Sequence, residues 1–360
     1  MPINRDLLGR LCECHGPSGR EDDVARIVSA ELVATGAEVT RDALGNLLGR
    51  RAGDAASGPR LMLAAHMDEI SLMVNHIDER GFLRFITVGG WDARTLVGQR
   101  VIVHGRSALP GVVGMTPVHL LDDAARNRSP KIEELAIDVG LPADRVRALV
   151  RAGDMATRTR ELIDLGDLVT GKSLDDRVGL YVMIEALRTA GPAVVEVHAV
   201  ATAQEEVGLR GARVATTRVR PDIALAIDTC PADDGPGTPA SGPSTRLGKG
   251  TAIRVMDASA ICAPSVVDLL VRLADERDIP YQFHVANRGG TDTGSMQLAG
   301  EGALAGCVSI PTRYVHSSVE ACHPADIGAS VALVAAFIEE AGTLVTESSL
   351  RGSHREGEGN

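Results

Sequence analysis

Histidines and carboxylates stand in five short groups along the chain: His66-Met67-Asp68, Asp175-Asp176, Glu205-Glu206, Asp228 and His316. Each follows an apolar run or a glycine-bearing turn, where a strand is expected to end or a helix to begin. Ionised carboxylates are costly to bury unless they are paired or bound to metal. Several of them converging on one sheet edge therefore call for cations. Two imidazoles and several carboxylates form a borderline nitrogen–oxygen donor set, which suits Zn²⁺ and admits Co²⁺ or Mn²⁺. Two such ions held close together need one bridging carboxylate, and water between them loses its proton near neutral pH. A further, unligated carboxylate must then accept that proton. The neighbouring pair Glu205-Glu206 fits this division, one ligand and one base, because adjacent side chains diverge. Spacing alone does not choose between Asp175 and Asp176.

An α/β frame is expected to gather these groups. The chain has 360 residues, enough for one large and one smaller domain, and 44% apolar residues but only 2% aromatics, so Val, Leu, Ile and Ala must fill the core. Helical periodicity appears over 4–14 and 20–35, with a Gly16-Pro17-Ser18-Gly19 turn between, and a hairpin is expected over 38–50. The apolar run Leu61 to Ala65 reads as a buried strand ending at His66, which is where open α/β sheets carry their sites. From about 70 to 160 short β segments and Gly-rich turns predict a small β-rich insert. The α/β pattern returns after Gly171, with helices over 175–189, 263–277 and 325–342 and strands over 194–203, 223–227, 281–286 and 303–310. The tail 348–360 is polar and Gly-rich and reads as disordered.

The formal net charge of −11 argues against nucleic acid and anionic membrane as partners. Six scattered cysteines without a CxxC pair read as reduced thiols. No signal-peptide core and no apolar stretch of membrane-spanning length is present, so the expected location is the cytoplasm.

Beyond these readings, the chain resembles the tetrahedral (TET) dinuclear-metal aminopeptidase family, which includes glutamyl, leucyl and lysyl aminopeptidases and relatives labelled endoglucanases. The resemblance is carried, in family order, by GPSGREDDV (16–24), AAHMDEISLMV (64–74), GVVGMTPVHLL (111–121), GKSLDDRVG (171–179), AQEEVGLRGA (203–212), AIDT (226–229), GGTDTG (289–294) and RYVHSSVE (313–320). It implies that His66, Asp175 and Asp228 hold one metal, and that Asp175, Glu206 and His316 hold a second, with Asp175 bridging. Glu205 is then the general base, and Asp68 hydrogen-bonds the far nitrogen of His66. GGTDTG is expected to line the specificity pocket. His119 reads as structural, and His76, His104, His198 and His284 carry no ligand pattern. Ser71 and Thr116 depart from the family pattern.

The fold implied is an α/β/α sandwich of zinc-peptidase type with a mixed central sheet, over 1–68 and 160–347, plus the β-rich insert over 69–159 as a dimerisation domain. The activity implied is hydrolysis of N-terminal residues from peptides with a free N-terminus, by a metal-activated water and two divalent metal ions per subunit, in a homo-oligomer between dimer and tetrahedral dodecamer. An amidohydrolase or deacylase on the same dinuclear fold is the alternative. Glycosidases instead set two opposed carboxylic acids around a sugar.

Overall fold

The computed structural model describes residues 3–54, 58–238 and 245–345, so the tail expected over 348–360 lies outside the described residues. Its centre is an eleven-stranded mixed sheet. Four strands run parallel in the order Glu196–Thr202, Arg60–His66, Ile223–Pro231, Leu304–Arg313. The hairpin Glu38–Arg41/Leu47–Arg51 extends one side antiparallel to Glu196–Thr202. On the other side Leu304–Arg313 pairs antiparallel with both Glu320–Cys322 and Thr251–Met256.

The four parallel strands are nearly continuous apolar runs because both of their faces are covered. Leu61, Leu63 and Ala65 pack under the helices Arg5–Glu13, Asp22–Ala34, Leu174–Thr189 and Pro324–Glu340. Met62 and Ala64 point the other way, with Ala212, Ala215 and Val219 of the helix Arg210–Val219. This alternation is the period-two geometry of a strand, and it gives the expected α/β/α layering. Burying each of these leucines contributes roughly 1.5–3 kcal/mol.

Six strands close into a barrel: Ser71–Ile77, Leu83–Val88, Ala136–Asp138, Ala108–Gly114, Arg100–His104 and Met155–Arg158. It has its own core, built on Leu72, Phe85, Val101, Val113 and Ile137. Several elements differ from the sequence-based reading. The strand expected over 223–227 continues through Asp228 to Pro231, because Thr229, Cys230 and Pro231 keep pairing with Leu304–Arg313. The strand Thr251–Met256 and the helix Arg210–Val219 were not expected: the strand carries Arg254 among its apolar positions, and the buried face of the helix, Ala212, Ala215, Thr216 and Val219, is built mostly from small residues that give a weak apolar signal. Among the described residues no helix is long and apolar enough to cross a membrane. The six cysteines are all free.

Candidate active site

The sheet register sets the site. His66 ends its strand opposite Thr202, and pairing with the neighbouring strand stops at Ala64–Ala226. The two strands part beyond that point, with His66 ending one and Asp228 in the carboxyl-terminal part of the other. Asp175 and Asp176 open the helix Leu174–Thr189, where their φ/ψ are non-helical and the peptide between them is cis. His316 follows the strand Leu304–Arg313 in a left-handed conformation, φ 62°. A cavity of about 670 Å³ is lined by His66, Asp175, Glu205, Glu206, Asp228 and His316, so the structure brings six of the seven expected site residues to one surface. Its size is that of a small-molecule or peptide-end pocket.

Within the cavity Asp175 takes a central place. Its Oδ1 lies 3.3 Å from His66 Nε2 and its Oδ2 3.4 Å from His316 Nε2. His316 Nε2 is also 3.3 Å from Glu206 Oε1, and Glu205 Oε2 is 3.9 Å from His66 Nε2. Ligand atoms of His66, Asp175 and Glu206 lie within 4.8 Å of one another, as do those of His66, Asp176 and Asp228. The donor set is two imidazoles and several carboxylates, and Asp175 Oδ1 makes no hydrogen bond although it is buried. Both facts fit divalent cations.

Charge crowding perturbs these groups. Burial, then the negative charge of Asp175, pushes the Asp228 carboxyl up to about 7. Burial raises Glu205 well above the carboxylate range; His66 opposes this, and Asp228 and Asp292 add to it. Burial lowers His316, but hydrogen bonds to Asp175 and Glu206 outweigh it and lift the ring to about 11. Burial would raise Asp175, but the two imidazoles hold it well below its ordinary value.

Asp68, the seventh residue, lies beneath the cavity floor and is fully buried. Its oxygens accept the backbone N–H of Glu205 at 2.9 Å and of Glu206 at 3.2 Å, and the Ser18 hydroxyl at 2.6 Å. The far nitrogen of His66 contacts the Asp68 backbone carbonyl at 3.0 Å, with the carboxylate at 3.5 Å. The far nitrogen of His66 is therefore shared between the main-chain carbonyl and the carboxylate of Asp68, which still has acceptor capacity beside the two amides and the hydroxyl. Asp176 behaves similarly: it accepts the N–H of His66 and of Gly179, each at 3.1 Å.

Several contributors were not singled out from sequence. Glu69 is buried against Lys172 Nζ at 2.9 Å and the Ser173 hydroxyl at 2.7 Å, and Arg177 donates to the Met67 carbonyl at 2.9 Å. This cluster ties the turn after His66 to the start of the Asp175 helix. The signal lay in the sequence, since Glu69 directly follows Asp68 and Lys172-Ser173 directly precede the aspartate pair. In the GGTDTG stretch Gly289 and Gly290 line the cavity, while Asp292 is buried behind it and accepts the Thr202 hydroxyl at 2.6 Å. His284 also lines the cavity, with a buried Nδ1 that makes no hydrogen bond. The Ser71 hydroxyl is likewise buried without a hydrogen bond. His119 is exposed on a short turn.

A family model described as M42 glutamyl aminopeptidase matches residues 45–333. An aminopeptidase from the archaeon Desulfurococcus kamchatkensis superposes with a TM-score of 0.89 at 41% identity, covering 93% of this chain and 94% of its own. The lysyl aminopeptidase of Pyrococcus furiosus is 35% identical over 94% of this chain and 97% of its own length. The Pyrococcus horikoshii TET1 peptidase, described as able to assemble into a tetrahedron or a large octahedral shell, gives a TM-score of 0.82 at 32% identity, covering 93% and 99%. On this extent of agreement in sequence and fold, the chain belongs to the M42 glutamyl aminopeptidase family.

Proposed function

We propose that this protein is a dinuclear-metal aminopeptidase that removes N-terminal residues from peptides. The observation carrying this reading is the carboxylate of Asp175, whose two oxygens face two different imidazoles at 3.3 and 3.4 Å. A bridging carboxylate between two ion sites has this arrangement. His66, Asp175 and Asp228 would hold one ion, and Asp175, Glu206 and His316 the other. Asp175 is preferred to Asp176 because both Asp176 oxygens accept backbone amides. Zn²⁺ suits the donor set best, with Co²⁺ or Mn²⁺ as substitutes.

When bound, the cations would supply Lewis acidity toward the scissile carbonyl and lower the pKa of water. The protein's own share is proton transfer and alignment. Glu205 would take the proton of the attacking water and deliver it to the leaving amine, from its place on the cavity wall 3.9 Å from His66 Nε2. Asp68 aims Glu205 and Glu206 through their amides.

A homo-oligomer is part of the proposal. It is supported by the assembly described for the Pyrococcus horikoshii relative and by exposed Val112, Val118 and Leu120 on the insert. A cytoplasmic location accords with six free thiols.

The test is turnover of an aminoacyl-anilide panel by metal-reconstituted protein, with bound metal counted in the same sample. Two ions per chain with exopeptidase turnover is the expected result, and the ranking of substrates gives the preferred N-terminal residue. Two ions without turnover of any free-N-terminus substrate would redirect the reading to an amidohydrolase or deacylase. No bound metal would overturn it.

A further inference from the structure

The carboxylate of Glu320 is buried and divides its two oxygens between two separate chain segments. Oε2 accepts the backbone N–H of Asp175 at 3.0 Å, and Oε1 accepts that of His316 at 2.9 Å. An N–H in the first turn of a helix has no acceptor within the helix, and Glu320 provides one for Asp175. His316 holds a left-handed φ of 62°. A non-glycine residue keeps such a conformation only where its surroundings fix it. The opposite side of the same loop is held by Arg158, which donates to the Ser317 carbonyl while its guanidinium lies 4.8 Å over the Trp91 ring.

We propose that Glu320 is a positioning residue that fixes the separation of Asp175 and His316, and so presets the cation site they share with Glu206. The proposal rests on the metal reading above. The side-chain type matters: an ionised carboxylate is acceptor-only, so it satisfies two N–H donors at once, whereas an amide would turn its own NH₂ toward one of them.

Asp326 provides a matched control. It is also fully buried and also accepts two backbone amides, those of Gly248 and Gly250, each at 2.7 Å, but neither glycine belongs to the site. The experiment uses the full chain stripped of metal and titrates Zn²⁺ against a chromophoric chelator, with the metal-free Tm measured in parallel. Glu320→Gln is expected to weaken at least one Zn²⁺ by roughly 10–100-fold, the range typical of residues that orient metal ligands, and to shrink the Tm rise on adding Zn²⁺. Asp326→Asn is expected to lower the metal-free Tm and leave Zn²⁺ affinity unchanged. Should Glu320→Gln not fold, Glu320→Asp keeps the charge but is one methylene too short to reach both amides, and carries the same expectation. Wild-type Zn²⁺ affinity and stoichiometry in the folded Glu320 variants, or an equal loss in Asp326→Asn, overturns the proposal. A wild-type protein that binds no Zn²⁺ overturns the metal reading itself, a separate result.

Discussion

His66 and His316 face each other across one carboxylate: Nε2 of the first is 3.3 Å from Asp175 Oδ1, and Nε2 of the second is 3.4 Å from Oδ2. If Asp175 bridges two ions, its loss affects both sites. Asp175→Asn is expected to reduce bound metal below two per chain and to cost more activity than the roughly 10–100-fold typical of outer partners. Elemental analysis alongside kcat checks this; a fully loaded variant would assign the bridge to another residue.

Glu205 is expected to act on protons and not on metal content. Glu205→Gln should keep wild-type metal and lower kcat by about 10²–10⁴-fold, the usual worth of a general base. Near-wild-type turnover in a fully loaded variant would remove it from that role.

The metal-free protein should lose stability as pH rises. Burial and then Asp175 lift Asp228 from 3.8 to about 7. His316, despite burial, is raised from 6.5 to about 11 by Asp175 and Glu206. At each of these groups the folded value exceeds the unfolded one, so there the folded state binds more protons. The stabilisation is complete below the unfolded values and is lost as pH rises through the folded ones. Cations require deprotonated ligands and so act in the opposite sense. Half-buried His15 and buried His284, both lowered by burial from 6.5 to about 4, act in the opposite sense only below 6.5, so the Tm of metal-free protein should fall between roughly pH 7 and 9, and the increment produced by Zn²⁺ should grow over the same interval. Calorimetry at both ends checks this; an increment that shrinks with pH would contradict it.

Gly179 leaves room for the carboxylate that holds His66. A Cβ there would lie 2.2 Å from Asp176 Oδ1. Gly179→Ala should displace Asp176, release the His66 amide and destabilise the protein by about 1–3 kcal/mol, the usual cost of overpacking. Urea unfolding of metal-free protein measures the loss, and unchanged stability would mean that Asp176 relaxes freely.

The parallel strands and the residues at their ends were legible in the sequence because buried strands are apolar runs, and polar residues that interrupt them stand out. His66 after Leu61 to Ala65 is the clearest case. The rest depended on non-local geometry. Asp68 and Glu320 act on backbone amides, and an amide carries no side-chain signature in a sequence. Asp176 and Asp175 are adjacent, and only the fold separates the carboxylate that accepts amides from the one that faces imidazoles. His284 reaches the cavity through an edge strand that pairs beside Thr251–Met256, a contact that periodicity does not encode.

The strand order also bears on when the protein becomes a hydrolase during its own synthesis. Leu304–Arg313 takes its place beside Ile223–Pro231 and delivers His316 to the opposite oxygen of Asp175. Chains leave the ribosome amino-end first, so His66, Asp175, Glu205 and Asp228 all emerge well before His316. A nascent chain that has not reached His316 lacks one wall of the site, and Asp175 Oδ2 lacks its imidazole. On the proposed reading a copy whose synthesis has not passed His316 is inert, because the imidazole facing Asp175 Oδ2 is still missing.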